Sequence, residues 1–353
     1  MTLLAQAPAG IAWLPLLLAD PSPNLRRLVL RELLGRPATD AEVCELAALR
    51  DTDPLVHDLL ALQEADGSWP AREGGGDAWR GIRTTAQALV SLGYLGLGPE
   101  HPAVQRGAEY LFAQQETDGS WPLPKSKAER EFREAYSMIP LQTGLPLRAL
   151  AAAGYAADPR SERAYEWLIE QRLPDGGWPS GTKGSKHVFP GGYRRLAHSQ
   201  FGCRTNTTFA VASLALHPGR RTSESARRGL DLLLAHETLQ AHTLGYEVAR
   251  TVGVERAGGF FTYFARYDAG LILDLCGRIG ASLEDERVGE LVDWVQGLQG
   301  ACGLWTYAAH PEVSRWVTFD LLRSLSRIEA KSDWVSQEPR TPFQPYPKRP
   351  RRY

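Results

Sequence analysis

One turn recurs along this chain and limits what the chain can fold into. Gln115-Glu-Thr-Asp118-Gly119-Ser-Trp121-Pro122 closes one segment, and Gln63-Glu-Ala-Asp66-Gly67-Ser-Trp69-Pro70 repeats it almost word for word. Gln171-Arg-Leu-Pro-Asp175-Gly-Gly-Trp178-Pro179 carries one extra residue, and Gln299-Gly-Ala-Cys-Gly303-Leu-Trp305 is a looser copy. A further slot, Leu232-Leu-Leu-Ala-His236-Glu, keeps the lead-in but has lost the Gln, Gly and Trp. With it, the anchors fall at 63, 115, 171, 236 and 299, a spacing of 52 to 65 residues. Periods of this size belong to repeat architectures, in which each unit buries its apolar face only against its neighbours.

Each unit reads as a helix, the turn, a loop and a second helix. In the first helices the apolar residues form one stripe, as in Val104, Ala108, Leu111 and Phe112, with Arg106 and Glu109 off it. That is the pattern of an outer, amphipathic helix. The second helices, expected over 84–97, 142–153, 206–216, 267–279 and 316–328, are apolar nearly all round and belong inside. Strand signals are almost absent, so the class is all-α, with about five to six helix pairs stacked openly or closed into a ring. In the turn, Gly supplies the positive φ that ends a helix. The amides of Gln63, Gln115, Gln171 and Gln299 are expected to satisfy backbone groups orphaned there. Trp69, Trp121, Trp178 and Trp305 are expected to cover the turn, each indole N–H finding an acceptor. We read these residues as structural staples.

The chain divides into a helical cap over 1–54, faintly HEAT-like, a repeat domain over 55–334, and a Pro-rich basic tail over 335–353. The apolar run Ile11–Ala19 lacks a basic flank and contains Pro15, so it is expected to be a buried helix rather than a leader. No stretch approaches the roughly 20 apolar residues of a membrane span. Apolar residues make up 43% of the chain, enough for a large core, and the net charge of −1 gives no reason to expect nucleic acid as a partner. Cys44, Cys203, Cys276 and Cys302 are scattered, which suits reduced thiols in the cytoplasm better than disulfides or structural zinc.

The Gln-x-x-Asp-Gly-Ser-Trp turns resemble the QW motifs of the terpenoid-cyclase and protein-prenyltransferase superfamily, and the likeness runs over roughly residues 55–330. Within that group the chain looks most like a bacterial, squalene–hopene-cyclase-like branch. The resemblance implies an α/α toroid, a double ring whose inner helices surround an apolar funnel. It also implies chemistry that this sequence lacks. Protonating cyclases use a clustered Asp-x-Asp-Asp to keep one carboxyl strongly acidic. The nearest string here, Asp51-Thr-Asp53-Pro54, lies outside the inner helices. The zinc places of prenyltransferase β-subunits fall near Phe261, Tyr263 and Val317, none of them a ligand. Asp274-Leu-Cys276 has the ligand spacing but lies deep in a helix and is read as core or helix edge. No metal and no cofactor is expected.

Aligning the inner helices places Thr85, Thr143, Thr207, Asp268 and Thr318 at one position near the helix start, where Thr and Asp are expected to act as N-caps. Two or three residues earlier stand Arg83, Arg204, Arg266 and Arg315. Either each pairs with a local acid or reaches outward, or the set forms a ring for an anionic group at the helix N-termini. Two functional expectations follow. The first is a toroid that holds an isoprenoid or other apolar ligand, its anionic head near those arginines, with Tyr263, Tyr267, His198 and Trp316 alongside. Asp268 is then the one acid to test as a catalyst, though a single carboxylate makes binding better supported than protonation. The second is a non-catalytic scaffold that binds a protein or peptide through its loops and tail. The long loop 181–205, with His187 and His198, suits either.

Overall fold

Our computed structural model of the chain describes residues 13–70, 78–121, 140–180, 195–235, 243–255 and 268–339. Among these residues, five outer helices begin at side-chain caps. These are α4 (Pro54–Ala61), α6 (Pro102–Ala113), α8 (Pro159–Glu170), α10 (Glu224–Leu234) and α13 (Glu286–Gly297), capped by Asp53, His101, Asp158, Ser223 and Asp285. Three of them open on Pro, whose missing N–H costs nothing at the first helical position. Each outer helix leads to an inner one: α5 (Ala78–Tyr94), α7 (Pro140–Ala152), α9 (Arg204–Leu216), α12 (Ala269–Ile279) and α14 (Ser314–Arg327). Helix α7 is buried from Pro140 to Ala151 and α9 from Arg204 to Ala215, as their all-round apolar pattern requires. Among the described residues the only β-structure is a few isolated bridges. The fold is an all-α toroid.

The inner helices pack in sequence, α5 on α7, α7 on α9, α9 on α12 and α12 on α14. The circle closes between the last and the first. Tyr94 of α5 meets Trp316 of α14 at 6.0 Å between ring centroids, and the Arg323 guanidinium lies 5.0 Å over the Tyr94 ring. The N-terminal segment lies across this seam as three helices among the described residues: α1 (Trp13–Leu18), α2 (Pro23–Leu28, continued by a π turn, Val29–Leu33) and α3 (Ala41–Ala48). Arg27 donates to the Leu95 carbonyl at 2.9 Å, while Glu32 pairs with Arg327 at 3.0 Å and Asp20 with Arg315 at 3.3 Å. First and last repeats are thus joined through the cap.

The recurring turn is one hydrogen-bonded unit. Gly67, Gly119, Gly176 and Gly303 take φ between 75° and 101°, a region open to glycine at little cost. The indole N–H groups of Trp69, Trp121, Trp178 and Trp305 donate to the carbonyls of Leu59, Leu111, Leu168 and Val295 at 2.7–2.8 Å, each ten residues back. Gln63 and Gln115 each donate twice, to the Gly carbonyl of their own turn and to a carbonyl in the first turn of the next outer helix, Ala103 or Arg160. Gln299, in the last repeat, bonds within its turn at 2.8 Å. Gln171 departs, reaching the Trp167 carbonyl at 3.5 Å, because the inserted residue puts the turn glycine, Gly176, five positions after it rather than four. The next outer helix leaves room for the ring: a Cβ on Gly107 would lie 2.8 Å from Trp69, and one on Gly229 3.0 Å from Trp178.

The aligned threonines do not cap their helices as expected. Thr85, Thr143, Thr207 and Thr318 lie inside the helices, and each hydroxyl accepts the backbone N–H of its repeat's Trp at 2.9–3.2 Å. A Trp in an irregular turn has no ladder partner for its N–H, and the inner helix supplies one. Only Asp268 is an N-cap, accepting from the Gly270 N–H at 2.9 Å.

Candidate functional site

The degenerate fourth repeat departs most from the pattern, and its difference lies inside the ring. Between α10 and α12 the chain forms a short extra helix, α11 (Tyr246–Thr251), buried at all six residues. It packs against α5, α12 and α14, and an ion pair ties it to α7, so it touches four of the five inner helices. Where the other repeats place a Trp N–H on a threonine, this one places the start of α11 on Asp268. The carboxylate accepts the Gly245 N–H at 3.1 Å and the Glu247 N–H at 2.5 Å, in addition to its own cap.

Three further charged side chains meet here. Arg148 Nη2 on α7 lies 2.7 Å from Glu247 Oε1, and Arg250 Nη2 lies 2.8 Å from the same oxygen. Asp268, Arg148, Glu247 and Arg250 retain only 7%, 8%, 7% and 5% exposure. Burial would raise the Glu247 pKa, but Arg148 and Arg250 outweigh it and hold the group below the ordinary carboxylate value. Burial pushes Asp268 up to about 6, Glu247 adds to the rise, and the backbone N–H bonds pull against it.

A pH test of the site follows. An Asp that titrates at 3.8 when unfolded and at about 6 when folded binds its proton more tightly in the native state. Its contribution to stability is fully present below 3.8 and is lost as pH rises through about 6. Asp268→Asn is expected to remove a slope of at most ~1.4 kcal/mol per pH unit from that window, measured by urea unfolding across the pH series. Equal slopes in variant and wild type would disprove the assignment.

The remaining expected site residues are dispersed. Arg315 is half-exposed and engaged with Asp20 in the cap, and Trp316 is buried at the α5–α14 seam. Arg204 is buried at the start of α9, and Arg83 is half-buried on α5. His198 lies 3.5 Å from Glu338 at the start of the tail. Arg266, Tyr263, Tyr267 and His187 fall outside the described residues. Asp274 is held down to about 2 by Arg278, Arg323 and Arg327 against the effect of its burial, and Cys276 is fully buried, its thiol pushed far up by desolvation. Among the described residues no group of three or more His, Cys, Asp and Glu could hold a metal. No helix there is long and apolar enough to cross a membrane.

Sequence reasoning missed Arg148, Glu247 and Arg250. The available signal was a single charge, Arg148, in an otherwise uncharged inner helix, which in a buried setting demands a counter-charge. At the opposite ends of α12 and α14 a groove of about 730 Å³ is lined by Arg221, Arg278, Arg327 and Lys331 among others. Asp274 and Glu284 already pair with three of these cations, which leaves the ring interior as the stronger candidate.

Residues 45–194 match the family model of the squalene–hopene cyclase C-terminal domain. The chain is 30% identical over 122 residues to a squalene–hopene cyclase of Bradyrhizobium diazoefficiens, covering 34% of this chain and 18% of that one. Over 138 residues it is 30% identical to a squalene–hopene cyclase of Zymomonas mobilis, covering 37% and 20%. The match thus spans about a fifth of the length of these relatives. Among solved structures, the type II terpene cyclase MstE from Scytonema aligns at 14% identity over 80% of this chain and 98% of that chain, with a TM-score of 0.31. A protein from Actinoplanes aligns at 16% identity over 80% and 99%, with a TM-score of 0.32.

Proposed function

We propose that the chain is a terpenoid-cyclase-like protein that binds an isoprenoid or another long apolar molecule with an anionic head inside its ring. The observation that carries this reading is α11 itself. A ring that encloses a buried helical segment among four of its inner helices is wide enough to take a slender apolar guest in place of that segment. The squalene–hopene-cyclase likeness over 45–194 supports the same guest class. The arginine expectation is carried into this reading as a proposal at Arg83, Arg204 and Arg266, of which Arg83 and Arg204 also have interactions of their own within the fold; Arg315 bonds Asp20 in the cap.

Binding is better supported than protonation. An acid that attacks an alkene must present a free O–H to it. Asp268 has both oxygens engaged by backbone N–H groups, and Asp274, Asp320 and Glu247 all face arginines. The four cysteines are free thiols, in keeping with a cytoplasmic setting.

Native mass spectrometry and thermal shift against prenyl diphosphates and triterpenes test the reading. Saturable 1:1 binding is expected, with stability rising by ~2.7 kcal/mol at a hundredfold excess over Kd. Arg204→Ala and Arg266→Ala should weaken the diphosphates; equal binding would remove the arginines from the site. If no apolar ligand saturates the wild type, the proposal fails in favour of a scaffold that meets a protein partner through its tail.

A further inference from the structure

Arg148 does not fit the helix that carries it. The sequence of α7, PLQTGLPLRALAA, holds no other charge and is buried along nearly its whole length. Burying a guanidinium there is costly unless both arms find partners. Nη2 has Glu247, but Nη1 is buried without a hydrogen-bond partner. A planar fork with one arm on a carboxylate oxygen and the other empty suits a two-pronged oxyanion better than it suits Glu247 alone.

Glu247, in turn, does not depend on Arg148. Arg250, one turn further along α11, reaches both of its oxygens, at 2.8 and 3.4 Å. Glu247 therefore keeps a counter-charge within α11 if its carboxylate leaves Arg148, with the start of the helix still held by Asp268. The helix is bounded by two glycines at positive φ, Gly245 at 87° and Gly253 at 81°, and a Cβ on Gly253 would meet nothing within 4 Å. The Gly253 end is therefore sterically open, whereas a Cβ on Gly245 would lie 2.7 Å from Val317.

We propose that Arg148 is the oxyanion receptor of the ring, and that Glu247 occupies it as an internal stand-in for the carboxylate or phosphate head of a ligand. This rests on the apolar-ligand reading above and names the group that would anchor the head. A ligand must displace the internal carboxylate, so the observed affinity is reduced by the fraction of molecules in which Arg148 is free.

The test uses the full chain as wild type, Arg148→Gln and Glu247→Gln, titrated calorimetrically with dodecyl phosphate, dodecanoate and dodecanol. Arg148→Gln leaves Glu247 paired with Arg250, so it strands no charge and decides the matter even if Glu247→Gln does not fold. Wild type is expected to prefer the charged heads over the alcohol, Arg148→Gln to lose that preference, and Glu247→Gln to increase it roughly tenfold or more. The stronger of the two charged probes identifies the head as phosphate or carboxylate. An unchanged preference in Arg148→Gln overturns the proposal, as does a folded Glu247→Gln with no gain. Dodecanol separates this from the underlying reading. If it binds while the head-group preference ignores Arg148, only the receptor is lost. If it fails to bind while inorganic diphosphate binds in an Arg148-dependent way, the receptor stands and the apolar guest is lost.

Discussion

Trp121→Ala is expected to lower the free energy of unfolding by about 3–5 kcal/mol, the range for deleting a fully buried aromatic side chain. Trp121 has no exposed surface, and its indole N–H donates to the Leu111 carbonyl at 2.8 Å. The substitution removes the ring that fills the junction between two repeats and also one of the two donors, the other being the Gln114 N–H, to the Leu111 carbonyl. Trp121→Phe separates the two effects. It keeps most of the apolar area, so its cost should be nearer ~1–2 kcal/mol, that of one lost buried hydrogen bond with some lost packing. Urea unfolding followed by far-UV circular dichroism is the measurement, since nine other tryptophans obscure fluorescence. A loss below ~1 kcal/mol for Trp121→Ala would mean that the turns decorate the ring rather than hold it.

Arg287→Ala should cost a similar amount, about 3–5 kcal/mol, by a different route. Arg287 is 9% exposed and joins three parts of the molecule. It bonds Asp285, the cap of its own helix, at 2.7 Å, Asp231 on the preceding outer helix at 2.6 Å, and Ser336 of the tail at 2.6 Å. Removing it takes the shared guanidinium from two carboxylates of low exposure, leaving Asp285 with the Trp334 indole and Asp231 with the more distant Arg228, and the tail loses one of its anchors. The natural control is Arg160, which occupies the matching place after the Asp158 cap and reaches Glu109 on the preceding outer helix at 2.8 Å. Arg160 is a third exposed and its partner Glu109 mostly so, and Arg160→Ala should cost only ~1 kcal/mol or less in charge pairing. Its stacking on Phe112, 3.7 Å from the ring centroid, adds a little. Chemical unfolding of both variants, with limited proteolysis of the Arg287→Ala tail, gives the comparison. Equal small losses would show that burial does not distinguish the two pairs.

These cases also show what the sequence makes readable. The Gln-Gly-Trp turn is legible because one local geometry imposes the same residue types at the same spacing each time it is built. The Asp-x-Arg link at 158–160 and 285–287 occurs only twice, and its partners Glu109 and Asp231 lie on another helix, so spacing along the chain conceals it. The threonines were misread because a helix cap and an acceptor for a neighbouring Trp N–H require the same hydroxyl at nearly the same position. Helix α11 was invisible for a related reason. It occurs where the repeat has lost its Trp, and a six-residue helix has too little periodicity to stand out from a loop. The arginines aligned cleanly in sequence, yet Arg315 turns to the cap while Arg148, which belongs to no aligned set, lies in the interior.

The seam between α5 and α14 has a consequence for how the chain reaches this state. Asp20 and Glu32 each bond a residue 295 positions further on. Neighbouring repeats can assemble as soon as both have been synthesised, because their contacts are local. The ring cannot lock until α14 exists and the N-terminal helices have found it, so closing it carries the largest loop-closure entropy of any step. A nascent chain lacking its last helix would hold α5 with one flank uncovered, and its apolar interior would be open to solvent or to another chain. The N-terminal helices and α14 are therefore the last parts of the ring to meet, and a break at either side of the seam is expected to unsettle the whole circle.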